Sequence, residues 1–124
     1  MTPAQDWLVV IDPQNIFANP DSPWGSPMWS AALPRIQALL DDHEPSRTII
    51  TRFVADPGLG GSWGPYYEEW KFALVPDADP LYAVVPELDL ERRVAAGVQV
   101  VTAPTFGKWA EVAALCGPNS QLTL

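Results

Sequence analysis

At 124 residues, 48% apolar and 18% charged, the chain matches one globular domain, residues 1–124, and excludes a disordered polymer. A formal charge of −8 excludes nucleic acid and anionic membrane as partners, because both require basic patches. One cysteine and one histidine exclude an internal disulfide, a histidine-built metal site and a Ser-His-Asp triad.

The first element expected is a strand over 7–11, where Trp7, Leu8, Val9, Val10 and Ile11 form an apolar run closed by Asp12 and Pro13. Such a run reads as a strand buried on both faces of a parallel sheet. Pro13 cannot donate to the ladder and favours an extended Asp12, which places that carboxylate at the carboxyl end of the strand. A loop over 18–26 follows, dense in turn formers. Ser26 is positioned to cap a helix with Pro27 in its first position, burying Trp29, Leu33, Ile36, Leu39 and Leu40. Pro34 predicts a kink or restart. His43 falls in an acidic, solvated turn that ends the helix.

A β-branched second strand is expected over 47–54, completing a right-handed strand–helix–strand unit. The glycine-rich 56–65 stretch lacks the Gly-Lys-Ser/Thr of a phosphate loop and reads as a mobile loop over the site. Residues 66–72 predict one helical turn, 76–86 an extended crossing, and 87–96 weak helix. Gly97 then releases a third strand over 98–102. A helix over 109–115 carries Trp109, Val112, Ala113 and Cys116 on one face, which makes Cys116 a core residue. Gln121 to Leu124 alternate like the opening of a fourth strand. The expectation is an α/β fold with an open, mainly parallel sheet and flanking helices, truncated after the start of the fourth strand.

Ligands bind open α/β sheets at the carboxyl ends of the strands. Asp12 and Lys108 each follow a strand and a break, so they are expected to converge there from adjacent strands. No apolar run approaches the roughly 20 residues of a membrane span, and the opening residues lack the basic region of a signal peptide. A cytoplasmic location is expected.

Three motifs carry a resemblance: Asp12 to Phe17 (Asp-Pro-Gln-Asn-Ile-Phe), Thr51-Arg52-Phe53, and Phe106-Gly107-Lys108. In order and spacing they resemble the isochorismatase-like cysteine hydrolases, a family of isochorismatases, nicotinamidases and N-carbamoylsarcosine-type amidases. The resemblance implies a Rossmann-like fold and hydrolysis of C–N bonds in a small molecule through an Asp-Lys-Cys triad. Asp12 would take the thiol proton and Lys108 would hold the thiolate, since a cysteine needs a base or nearby cation to become nucleophilic at neutral pH. The family's nucleophile follows the next strand, beyond Leu124, and Cys116 does not match it. These 124 residues are therefore expected to be inactive alone.

Nicotinamidase-type relatives bind a metal after the second strand. Here Asp56 is present, but Gly58 and Gly61 stand where histidines are wanted, so neither a metal nor another cofactor is expected. Phe17, Trp63 and Phe106, with Trp24, Tyr66 and Trp70, are expected to line a pocket for a small planar amide. The open sheet edge implies homo-oligomers or association through that edge. Two other readings stand beside this one. The first is a non-catalytic relative that binds a ligand or partner. The second, ranked last, is a phosphoacceptor signalling domain using Asp56 and Lys108, but Asp12 lacks the acidic neighbour that would hold Mg²⁺.

Overall fold

The computed structural model describes residues 6–56, 58, 63–105, 108–116 and 121–123, with backbone alone at 6, 63, 64 and 121–123. Four parallel strands lie in the order β3-β2-β1-β4. They are β1 (Asp6–Val10), β2 (Thr48–Phe53), β3 (Gln99–Ala103) and β4 (Gln121–Thr123). The apolar run of β1 pairs on both sides, Leu8 to Val10 with Thr48 to Ile50 and Asp6 to Leu8 with Gln121 to Thr123. Trp7, Leu8, Val9 and Val10 are accordingly buried. Ile11 lies past the strand and is 58% exposed, which ends the expected five-residue run one residue early.

Alternation of β1 and β2 side chains divides the core into two layers. Leu8, Val10 and Ile50 face helix α2 (Trp29–Asp42), whose Trp29, Leu33, Ile36, Leu39 and Leu40 pack over them as their spacing requires. On the other face, Trp7, Val9 and Ile49 pack with Val112 and Cys116 of helix α5 (Trp109–Cys116). Burying each such aliphatic side chain contributes about 1.5–3 kcal/mol.

Several local expectations change. The α2 helix begins at Trp29, not Pro27. Ser26 still accepts the Met28 N–H through Oγ at 3.1 Å, but in the turn before the helix. The helix continues through Pro34, which lies on its exposed side, where water can satisfy the carbonyl that proline leaves without a donor. His43 is not merely solvated: it is half-buried, with Nδ1 2.8 Å from the Leu39 carbonyl at the helix end. The third helix, α3 (Trp63–Glu69), includes Gly64 and Pro65, two residues of the expected 56–65 loop. Proline is tolerated in a first turn, where its missing N–H has no intrahelical partner. A 3₁₀ turn follows at Lys71–Ala73.

Segment 76–86 is more than a surface crossing. It forms a 3₁₀ turn at Pro80–Tyr82, an antiparallel bridge from Val84 to Gln14, and buries Tyr82, Val84 and Val85. The short helix α1 (Asn15–Ala18) packs against that turn. Helix α4 (Leu90–Ala96) ends at Gly97, whose φ of +123° suits glycine alone and lets its N–H close on Arg93 and Val94. Trp109 departs from its expected core face and is 64% exposed, whereas Val112 and Cys116 are buried.

Candidate active site

The turn after β1 gives the site its shape. Asp12 has φ +49°, in the left-handed region and not the extended conformation expected before proline. An extended residue 12 would share the face of Leu8 and Val10, towards α2. Thr51 belongs to the opposite face, because Ile49 packs on the α5 side and Ile50 on the α2 side. The left-handed turn at Asp12 breaks the alternation and lets the carboxylate meet Thr51. The Thr51 hydroxyl accepts the Asp12 N–H at 3.0 Å and donates to Asp12 Oδ1 at 2.6 Å. A non-glycine residue held in this region costs about 1–3 kcal/mol. A hydrogen bond to a charged group contributes about 1.5–3 kcal/mol, enough to offset that strain.

Lys108 reaches the same carboxylate from the turn between β3 and α5. Its Nζ lies 3.3 Å from Asp12 Oδ2, donates to the Thr105 carbonyl at 2.7 Å, and stands 5.7 Å from the centroid of the Phe53 ring. Both side chains are shielded, 4% exposed for Lys108 and 12% for Asp12. The expected approach of the two is therefore present, but their strands are not adjacent. β2 lies between β1 and β3, and the pair closes over its end beside Thr51 and Phe53.

Gln14 fixes the floor of the turn. It is fully buried; its amide donates to the carbonyls of Phe53 at 2.9 Å and Tyr82 at 2.8 Å and accepts the Phe53 N–H at 2.7 Å. The side chain thus substitutes for a strand partner where β2 runs out of ladder. Arg52 ties the other side, with an ion pair to Asp77 at 2.7 Å and a bond to the Tyr82 carbonyl at 3.2 Å.

An aromatic wall stands next to this pair. Phe17 is half-buried and stacks on Trp24, with centroids 6.1 Å apart and planes 7° from parallel. Trp24 also contacts Tyr66, Trp70 and Phe72. Gly25 permits the turn that seats Trp24, since a Cβ there would fall 1.8 Å from the Asn19 carbonyl oxygen. Of the expected pocket residues, Phe17 is at the wall. The Trp63 side chain and Phe106 lie outside the described residues, as do Gly61 and residues 57, 59, 60 and 62 of the glycine-rich loop. Asp56 is exposed and accepts the Gly58 N–H at 2.9 Å. Among the described residues, no group of three or more His, Cys, Asp or Glu is placed to hold a metal.

No family model matches the chain, and no curated protein matches it. Among solved structures, it is similar to the crystal structure of a cysteine hydrolase from Pseudomonas syringae pv. phaseolicola 1448A, with a TM-score of 0.59 and 19% identity. The match covers 85% of this chain. The fold is that of a cysteine hydrolase. It agrees with the fold implied by the three motifs, and the chain spans 61% of the length of that structure.

Within this cysteine-hydrolase fold, Cys116 is remote from the Asp12–Lys108 pair. It belongs to the cluster of Trp7 and Val9, and Asp12 lies roughly 10 Å beyond Val9 in the strand direction. Burial pushes the Cys116 thiol up from its ordinary value, which leaves less of the nucleophilic thiolate. Burial, then the neighbouring Tyr82, Tyr66 and Asp56, push Tyr67 up to about 12. Thr51 and Gln14 belong to the motifs, and the structure adds hydrogen bonds through which each ties the Asp12 turn to β2. The signal for both was their phase: Thr51 occupies the strand face that Lys108 approaches, and Gln14 sits where the ladder ends.

Proposed function

We propose that this chain carries the Asp–Lys half of a cysteine hydrolase that cleaves C–N bonds of a small, planar, amide-type substrate. The observation that carries the reading is the shielded Asp12–Lys108 pair at the carboxyl end of the sheet, beside an aromatic wall. Asp12 Oδ2 takes the proton from an incoming thiol. Lys108 then faces the thiolate and the charge that develops on the acyl carbon's oxygen. Phe17, Trp63 and Phe106 contribute flat apolar surface for the substrate. The nucleophile is a cysteine other than Cys116, supplied from outside these 124 residues, so the chain by itself turns nothing over. No cofactor enters this chemistry.

Among the described residues, no helix is long and apolar enough to cross a membrane. A cytoplasmic enzyme that associates through its open sheet edge completes the proposal. The test compares the 124-residue chain with the polypeptide of its complete reading frame, on a panel of planar primary amides. The expected result is turnover by the latter only, an acyl adduct on a cysteine other than Cys116, and loss of activity in Asp12→Asn and Lys108→Met. An adduct on Cys116, or full activity in either variant, overturns it.

A second reading, a non-catalytic relative that binds a ligand, is favoured by one observation. Both Asp12 oxygens are already engaged, one by Thr51 and one by Lys108. Saturable binding of planar amides by the complete polypeptide, without turnover, would decide for it.

A further inference from the structure

We infer that Thr51 is a positioning residue that locks the Asp12 carboxylate so that Oδ2 alone faces Lys108 and the substrate space. The inference rests on the proposed role of Asp12 as the base, and it names what aims that base. A threonine hydroxyl has one proton and can accept through its lone pairs. Here the proton goes to Asp12 Oδ1 at 2.6 Å, and a lone pair receives the Asp12 N–H at 3.0 Å. One side chain thus holds both the backbone and the carboxylate of the same residue. Two fixed points on one rigid turn remove rotation about the Asp12 side-chain bonds, and Oδ2 is left to Lys108 at 3.3 Å. Thr51 is itself buried on the inner strand β2, in register with Val101 of β3, so the clamp is carried by rigid strand and not by a loop.

A side chain that served only to fill the core would be replaceable by valine, which has nearly the same shape. The clamp needs the hydroxyl, so serine keeps it and valine does not. Lys71 and Lys108 are the two lysines of the chain; Lys71 is exposed and Lys108 buried, which gives an internal reference for amine acetylation read by mass spectrometry. In Thr51→Val the Asp12 carboxylate is released to turn away from Lys108, and acetylation of Lys108 relative to Lys71 is expected to rise about tenfold, the scale of the one charge-assisted hydrogen bond that Lys108 then loses. Thr51→Ser is expected to stay within about twofold of the native chain, because it keeps that bond. Since Thr51 acts through Asp12, Thr51→Val made in an Asp12→Asn background should add nothing further.

A Thr51→Val chain with native Lys108 protection overturns the inference, and so does an equal rise in the Asp12→Asn background. A measurement on the native chain covers the case in which the valine variant does not fold. The Thr51 hydroxyl proton is expected as a slowly exchanging proton resonance with a cross-peak to the Asp12 amide proton, and its absence overturns the clamp. Neither readout needs turnover. Failure of the hydrolase proposal appears in the amide panel, and failure of the clamp appears in the labelling ratio and the hydroxyl resonance.

Discussion

At the carboxyl ends of β1 and β2, the buried side chains of Gln14, Thr51 and Lys108 are each hydrogen-bonded to a group far away in sequence. Midway along the same strands, Trp7, Val9, Ile49, Val112 and Cys116 meet through apolar packing. The two regions are about three strand residues apart, yet different physics stabilises them. The middle depends on area removed from water and tolerates small changes. The rim depends on polar groups that are costly once a partner is lost, because they no longer reach water. Cys116 in the middle is core material, and Lys108 at the rim is held by an ion pair to Asp12 and a bond to the Thr105 carbonyl.

The sharpest way to break this comparison is Gln14→Met, which keeps the volume and removes the amide. It leaves the Phe53 N–H and the Phe53 and Tyr82 carbonyls without that partner. The Tyr82 carbonyl keeps its bond from Arg52, so the cost falls mainly on the Phe53 groups; at about 1–3 kcal/mol for each buried group that loses a partner, a loss of about 4 kcal/mol is expected in urea unfolding. A loss below about 1 kcal/mol, the size of a modest core change, would show that water replaces the amide.

Lys108→Met comes next. It leaves the Asp12 carboxylate facing an apolar side chain at a shielded position, and breaking such a pair costs about 3 kcal/mol. Adding Asp12→Asn should recover part of that loss, because the uncompensated charge goes with it. A double-mutant cycle measures the difference, and strict additivity would mean that the two groups do not interact in solution.

What the sequence made legible follows the same division. Leu8, Val10, Ile49 and Ile50 announce buried parallel strands by their own apolarity, and Leu33, Ile36 and Leu40 announce a packed helix by spacing. The meeting of Asp12 and Lys108 was also readable, because each ends a strand and the rim of an open sheet collects such residues. Their neighbour relation was not, since strand order depends on tertiary packing and puts β2 between β1 and β3. The left-handed Asp12 was hidden for a similar reason. Local preference before a proline favours extended backbone, and the group that overrides it is Thr51, on another strand. The start of α3 at Trp63 was missed because Gly64 and Pro65 read locally as loop, although proline suits a first helical turn.

Cys116 tests the apolar side of the comparison. With a buried thiol whose ionisation is pushed up by burial, it should react with thiol reagents far more slowly than in the denatured chain. Cys116→Ala should cost only about 1 kcal/mol, close to the removal of a single buried methyl-sized group. Rapid labelling of Cys116 in the folded state would place it nearer to solvent than its cluster with Trp7 and Val9 allows.

The last effect is confined to alkaline pH, in the aromatic layer next to the rim. Burial is the main reason that Tyr67 is pushed up to about 12 from its ordinary 10.0, and Tyr66 and Tyr82 are raised for the same main reason. A group whose proton is held more tightly in the folded state adds stability while both states stay protonated, and loses that contribution as the unfolded chain ionises first. Folding stability should therefore be level below pH 10 with respect to Tyr67 and fall as pH rises from 10 to about 12. Cys116, also raised, adds a decline of the same sign that begins lower. Urea unfolding in a Cys116→Ala background isolates the tyrosines, and Tyr67→Phe should make the remaining slope shallower without abolishing it, because Tyr66 and Tyr82 still titrate. An unchanged slope in Tyr67→Phe would mean that the Tyr67 hydroxyl is solvated and that the aromatic layer opens to water beside the ion pair.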